Sequence, residues 1–459
     1  MKKEKIRQKG NRAVTAIFYL CYFLLLAGYF TGMYFLRNWL TDELIAFEAS
    51  TQPGVRAEEV FQDLFSDPDW SQLYVAAGLE DTSFENQDTF LAYIASNVDE
   101  SALTYQETDD PSNSHKFLVL TKDQTLGYFT LTNRADAKAL IPDWQLGEIG
   151  FFLPRNLSVT IEKQDGHTVY VNGHPLDDSY TVEILSTTAE RFLPDGTPGI
   201  RRIRQEVTGL LMQPEITIQD GSGNSCELLY DEDTGMYTEV LPSAEPITKE
   251  LKEAAITAGE VYCTYMVEQD NYQLFQYFAS GTETYQTITS ATPWPQNAME
   301  TGITAPRVSD YVRYTEDLFS VRVAMDMKFI FGEKNIRTRS LDSILFFENR
   351  KDGWMVIAMT NDDITLPTSR VRLTYMSGNT VLSTVFCNST ETEISTPQIT
   401  APKGQILSGW AEQVVSPDGS VSLNPIFSVD ESGNCTIPQG TVLKPMILYP
   451  LFDDIVAVG

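Results

Sequence analysis

Histidine is almost missing from this chain, at three in 459 residues. Chemistry that relies on an imidazole base therefore has few places to sit. The five cysteines are too few for a disulfide scaffold and show no Cys-x-x-Cys spacing. Positive charge is also scarce: 33 Lys and Arg stand against 63 Asp and Glu, a formal charge of −30, which argues against nucleic acid as a partner. There is no G-x-S-x-G, S-x-x-K, H-E-x-x-H or G-x-x-x-x-G-K, so the familiar nucleophile, metalloprotease and phosphate-loop signatures are excluded. "DEDTGMYTE" (231–239) lacks the Asp-Gly that an EF-hand loop needs at its fifth and sixth positions, and reads as an acidic hairpin turn.

What the chain does have begins at its N-terminus. Residues 1–12 carry Lys2, Lys3, Lys5, Arg7, Lys9 and Arg12 against a single acid, Glu4. Residues 13–36, "AVTAIFYLCYFLLLAGYFTGMYFL", hold no charge. About 20 apolar residues cross the hydrocarbon core as a helix, so this segment is expected to span. No small-x-small cleavage site follows residue 36, which favours an uncleaved anchor over a removed signal. The basic flank predicts a cytoplasmic N-terminus with the rest of the chain outside. That remainder is strongly acidic, with 27 basic and 62 acidic residues, and is expected to be soluble and repelled by anionic membrane surfaces. Gly28 and Gly32 form a small-xxx-small pair inside the anchor. Such pairs permit close helix approach in lipid, while glycine is also simply common in membrane helices, so a homodimer through this face stays open.

Beyond the anchor the fold class is α+β, in several small modules. "EASTQPG" (48–54) reads as a linker. Residues 54–153 place helices first, over 55–79 and 88–96, with Asp67 as a cap before Pro68, and then strands at 116–133 and 144–153. Residues 154–243 alternate as strands and turns, a small all-β module, and "PSAEP" (242–246) reads as a linker. Residues 247–362 repeat helix then strand. A long helix covers 248–269, Asp270 caps another, and "FSVRVAMDMKFIF" (319–331) places an apolar residue at every odd position. A strand of that length spans about 40 Å and is expected to bend or bulge. Residues 343–359 form a hairpin with Asp352-Gly353 at the turn. Residues 364–459 are β-rich again.

The helix-then-sheet order of 247–362, ending in "FENRKDGWMVIAM", resembles the nuclear-transport-factor-2-like superfamily, and 55–150 resembles a weaker copy. That resemblance implies cone-shaped α+β domains, some with a ligand pocket, as in ketosteroid isomerase and polyketide cyclases. Others are non-catalytic, as in penicillin-binding proteins. One anchor followed by alternating small modules with a "VYVNG" hairpin is similar to teicoplanin-resistance-associated membrane proteins. The zinc ribbon with which such proteins often begin has no counterpart before Cys21. "ISTPQITAPKGQILSGWAEQ" (394–413) and "LKPMILYPLF" (443–452) resemble the internalin-type B-repeat, a β-grasp-like unit. Gly404, Gly409, Trp410 and Tyr449 match its pattern; Leu407 and Phe452 replace apolar for apolar. The resemblance implies that Trp410 is a core anchor.

Candidate chemistry is thin. "GHTVYVNGHPLDD" (166–178) holds His167 and His174, but Asn172-Gly173 is a type I′ hairpin signal. The register sets Val171 against His174 and Tyr170 against Pro175, so the two histidines lie about 13 Å apart along the ribbon and cannot share a metal ion. His167 is expected to pair with Asp178, and His115 has no evident partner. Tyr262, Tyr265, Phe278, Tyr285 and Trp294 would line a pocket if the cone were open; an aromatic stripe on a long helix is more often core. Asp326 falls opposite the apolar face of its strand, so no base points inward there. Cys387 and Cys435 share the last module, and whether they are bridged is left open. No cofactor, metal ligand or catalytic residue is expected. The reading is a non-catalytic binding or scaffold protein of the bacterial cell envelope, partnered by an envelope protein or cell-wall component. Its alternatives are a sensor of a cell-wall-active small molecule and a pocket enzyme of the cyclase/isomerase kind.

Overall fold

The computed structural model describes residues 3–454 apart from 109–113, 123, 135–141, 198–199, 242–244, 352, 416–420, 431–433 and 438–439. The chain divides into two compact units, Met1–Asn156 and Leu157–Gly459.

The first unit opens with α1 (Lys3–Ser50), followed by α2 (Pro53–Phe65), α3 (Trp70–Ala76) and α4 (Gln87–Asn97). The antiparallel sheet β1 (Leu103–Glu107), β2 (Ser114–Thr121), β3 (Gln124–Asn133) and β4 (Trp144–Phe151) runs in sequence order. α1 continues well past the uncharged 13–36 segment, so the linker expected at 48–54 shrinks to Thr51 and Gln52. Val14–Glu48 is long and apolar enough to cross a membrane, and an 18-residue stretch of it has mean hydropathy 1.8 with no residue buried. α2 buries Ala57, Val60, Phe61 and Phe65 along one face. The cap of α3 is Asp69, which accepts from the Gln72 N–H at 3.1 Å, rather than Asp67. Pro68 therefore lies before the helix rather than at its first position. Helices and sheet close over Phe90, Phe117, Phe129, Ile94 and Leu131.

The second unit begins with β5 (Leu157–Gln164), β6 (Thr168–Val171), β7 (His174–Pro175), β8 (Thr181–Thr187), β9 (Arg202–Leu210), β10 (Ile216–Gln219), β11 (Ser225–Cys226), β12 (Leu228–Asp231) and β13 (Met236–Glu239). Residues 242–244 of the expected linker lie outside the described residues. Then come α5 (Lys249–Glu268), α6 (Asn271–Tyr277) and α7 (Glu283–Ser290), and the strands β14 (Glu300–Thr315), β15 (Leu318–Ile330), β16 (Ile336–Arg350) and β17 (Gly353–Thr360). The last strands are β18 (Pro367–Ser377), β19 (Thr380–Asn388), β20 (Glu393–Ser395), β21 (Gln405–Val415), β22 (Val421–Val429), β23 (Asn434–Thr436) and β24 (Met446–Asp454).

The segments 154–243 and 364–459 share one sheet. Pro367–Val371 of β18 pairs antiparallel with Glu183–Thr187 of β8, joining strands from both into a twelve-stranded sheet. Glu183 anchors the seam by accepting from Arg204 at 2.6 Å and from the Ser369 hydroxyl. β18 also runs parallel to the last strand, β24. On this side Trp410 is fully buried and meets Tyr375 edge-on at 4.7 Å. Gly409 is required there, because a Cβ would sit 2.3 Å from the Phe427 carbonyl oxygen.

β14 to β17 form a separate antiparallel sheet in sequence order. The bulging expected of β15 falls on its neighbour instead. β15 pairs with β16 without interruption, while β14 shifts register three times and carries Ala305 and Asp310 at positive φ. The 343–359 hairpin closes with Arg350 opposite Gly353, and Asp352 of the expected turn lies outside the described residues.

Candidate functional site

The helical half of residues 247–362 is set by its caps. The Thr248 hydroxyl accepts from the Leu251 N–H, Asp270 from Tyr272, and Thr282 from Tyr285. α5 lies on the inner face of β15, where Phe319, Val321, Val323, Met325, Met327 and Phe329 are all buried. Gly259 permits that approach: a Cβ would meet Val323 Cγ1 at 2.8 Å and Met325 Cε at 2.6 Å.

The five aromatic residues proposed as pocket lining join this interior. Tyr265 and Phe278 are buried, and Tyr262, Tyr285 and Trp294 pack against the same core. Trp294 meets Tyr262 and Phe329 edge-on, at 6.0 and 6.2 Å, and its backbone N–H donates to the Met266 carbonyl. Burial raises the Tyr262 phenol above its usual range. Asp326 is on the other face, where it accepts from the Ser340 hydroxyl at 2.6 Å.

Beside this interior is an open cleft of about 820 Å³, lined by other residues. Phe275 and Tyr277 come from α6, Trp354 and Met355 from β17, Arg350 from the end of β16 and Lys351 from the turn between the two strands. Phe275 is half exposed. Arg350 is held by Glu348 at 2.6 Å. The described lining offers aromatic surface and two cations but no carboxylate, imidazole or thiol. It can hold an anionic or aromatic group, and it supplies no general base.

The hairpin register expected at 168–176 is observed, with Tyr170 opposite Pro175 and Val171 opposite His174. Asn172 and Gly173 both have positive φ, as a type I′ turn needs. His167, however, pairs with Glu239 rather than Asp178, and a short 3-10 turn capped by Asp177 begins at Asp178. Its Nδ1 lies 2.9 Å from Glu239 Oε1 and 3.7 Å from Cys226 Sγ. His115 also has a partner, Glu107 at 2.7 Å, and meets Trp144 edge-on. Gly28 and Gly32 lie on the exposed α1, with nothing within 4 Å of either Cβ position. Cys387 and Cys435 are free thiols, and burial pushes them up to about 11 and about 12.

Sequence reasoning missed the Cys226 and Glu239 partners of His167, which lie 59 and 72 residues away along the chain. Strand order alone brings them together, and no local signal marks it.

No family model matches the chain, and no curated protein matches it. Among solved structures, an "Ntf2 like protein involved in plasmid conjugation" is similar at 9% identity, covering 64% of this chain and 96% of its own. Its TM-score is 0.20, and a superposition of that quality carries no argument.

Proposed function

We propose that the protein is a non-catalytic binding or scaffold protein of the cell envelope, held by one membrane helix with its N-terminus in the cytoplasm. The observation that carries this reading is the Val14–Glu48 stretch of α1, apolar and unburied, which needs a membrane to cover it. The basic residues before it support that orientation by the positive-inside rule. The filled interior against β15, apolar on every inward odd position, supports a binding role over an enzymatic one. In this reading 54–153 and 247–362 are nuclear-transport-factor-2-like modules, and 364–459 is a B-repeat-like module.

One observation favours a sensor as the second reading. The cleft between α6 and β17 has the size of a small-molecule site, and its aromatic walls and two cations suit an anionic cell-wall-active compound. Both readings are tested by titrating the full-length protein in detergent with cell-wall fragments and such compounds. Saturable binding, weakened by Trp354→Ala at temperatures where that variant remains folded, and recovery of the compound intact are expected for the sensor. Binding that is indifferent to Trp354→Ala favours the scaffold. Chemical conversion of any bound compound, lost on substitution of a cleft residue, would overturn the non-catalytic reading.

A further inference from the structure

The strand order gathers three metal-ligating groups at one place. β5 ends at Gln164 and the chain enters a second sheet at Thr168, with His167 in the crossing. In that second sheet β6 pairs with β10, and β10 with β11, which sets Val169, Ile218 and Cys226 on one rung. The chain then returns to the first sheet at β12, where Leu228 faces Glu239. Glu239 closes β13, which runs parallel beside β5. The chain thus crosses between the sheets twice, and His167, Cys226 and Glu239 meet at the crossings.

We propose that His167, Cys226 and Glu239 form a zinc-binding site, with the His167 imidazole nitrogen, the Cys226 thiolate sulfur and a Glu239 carboxylate oxygen as ligands. One atom from each lies within 4.8 Å of the others. A tetrahedral zinc ion with bonds of about 2.0–2.3 Å sets its ligand atoms about 3.3–3.6 Å apart. The sulfur-to-nitrogen separation of 3.7 Å is already close to that, and the 2.9 Å between His167 and Glu239 needs to open by a few tenths of an ångström. Glu239 is 3% exposed, and its second oxygen accepts from the Gln164 N–H at 2.7 Å, which fixes the carboxylate. His167 is 20% exposed on its side chain and Cys226 is part-exposed, so an ion has a path in. The set mixes nitrogen, thiolate and carboxylate, which suits zinc or cobalt rather than calcium or magnesium.

The surroundings are acidic. Asp220 acts electrostatically on both His167 and Cys226, and Asp165 and Asp178 lie near Lys163, whose ammonium donates to the His167 carbonyl. The plainer alternative is a His167–Glu239 ion pair with an idle thiol beside it. Burial and the Glu239 carboxylate push the Cys226 thiol up, so without metal it keeps its proton. Zinc binding breaks that S–H bond, forms a Zn–S bond and releases the proton to solvent. Three protein ligands leave the fourth position to water. The site is independent of the binding reading above and stands or falls separately from it.

The test uses full-length protein in detergent, stripped with chelator and titrated with zinc alone against a competing chelator. One zinc per chain, a higher melting temperature with zinc, and a thiolate-to-cobalt charge-transfer band with cobalt are expected. Loss of an outer hydrogen-bond partner of a metal ligand weakens binding about 10–100-fold. Loss of a direct ligand in Cys226→Ala should therefore weaken it by ~100-fold or more and abolish the cobalt band. His174→Ala, at the exposed turn, should bind as wild type. Cys226→Ala that melts like metal-free wild type confirms that the fold is intact. Equal zinc uptake by Cys226→Ala and wild type, or no saturable zinc in a chain that melts cooperatively, would overturn the proposal.

Discussion

Trp410 and Tyr375 meet in the core on the β18–β21 side, each fully buried, and each carries a polar atom with no hydrogen-bond partner among the described residues. Two substitutions separate packing from polarity there. Trp410→Ala removes a fully buried tryptophan and should cost ~3–5 kcal/mol, read as a large fall in the denaturant midpoint. A variant that melts like wild type would make Trp410 a surface contact. Tyr375→Phe keeps the ring and deletes an unsatisfied hydroxyl, so it should be neutral or stabilising by about 1 kcal/mol. A clear loss of stability would instead reveal a partner for the hydroxyl. Gly259 offers a third check, because Gly259→Val drives a branched side chain into Val323 and should cost ~1–3 kcal/mol by overpacking. A change below about 0.5 kcal/mol would show that α5 can lift away. The burial of Trp410 agrees with what the B-repeat resemblance implied. The partners of His167 were not legible in the sequence, because residue chemistry carries no information about which strand will lie alongside.

At the scale of elements, alternation told which face of β15 is inward but not where the strain of its length would go. The uninterrupted pairing with β16 keeps six apolar residues on the helix side, and β14, more exposed, absorbs the register shifts. An exposed strand loses less by a bulge than a core strand does. The β8–β18 seam was likewise invisible in the sequence, since period-2 patterning names no partner across some 180 residues. It makes a direct prediction. A chain ending at residue 363 leaves β8 as a bare edge and removes the Ser369 hydroxyl from Glu183. It should aggregate or lose its cooperative transition, seen by light scattering and thermal melting. Unchanged melting of residues 157–362 would show that the two β segments are independent.

At the scale of the whole molecule, charge and hydropathy divide the chain into a basic tail, an apolar helix and an acidic remainder. The apolar helix was legible because a run of about 20 uncharged residues has few other uses. Its continuation through Ser50 was not, because the polar residues after Arg37 interrupt the apolar run without breaking the helix. The central claim is a single-pass anchor with everything after it outside the cell. The most direct measurement is protease added to intact protoplasts bearing the protein with a tag at each end. The account predicts that the C-terminal tag is destroyed while the N-terminal tag survives on a short membrane-bound fragment. A C-terminal tag that stays protected until the membrane is broken would contradict it.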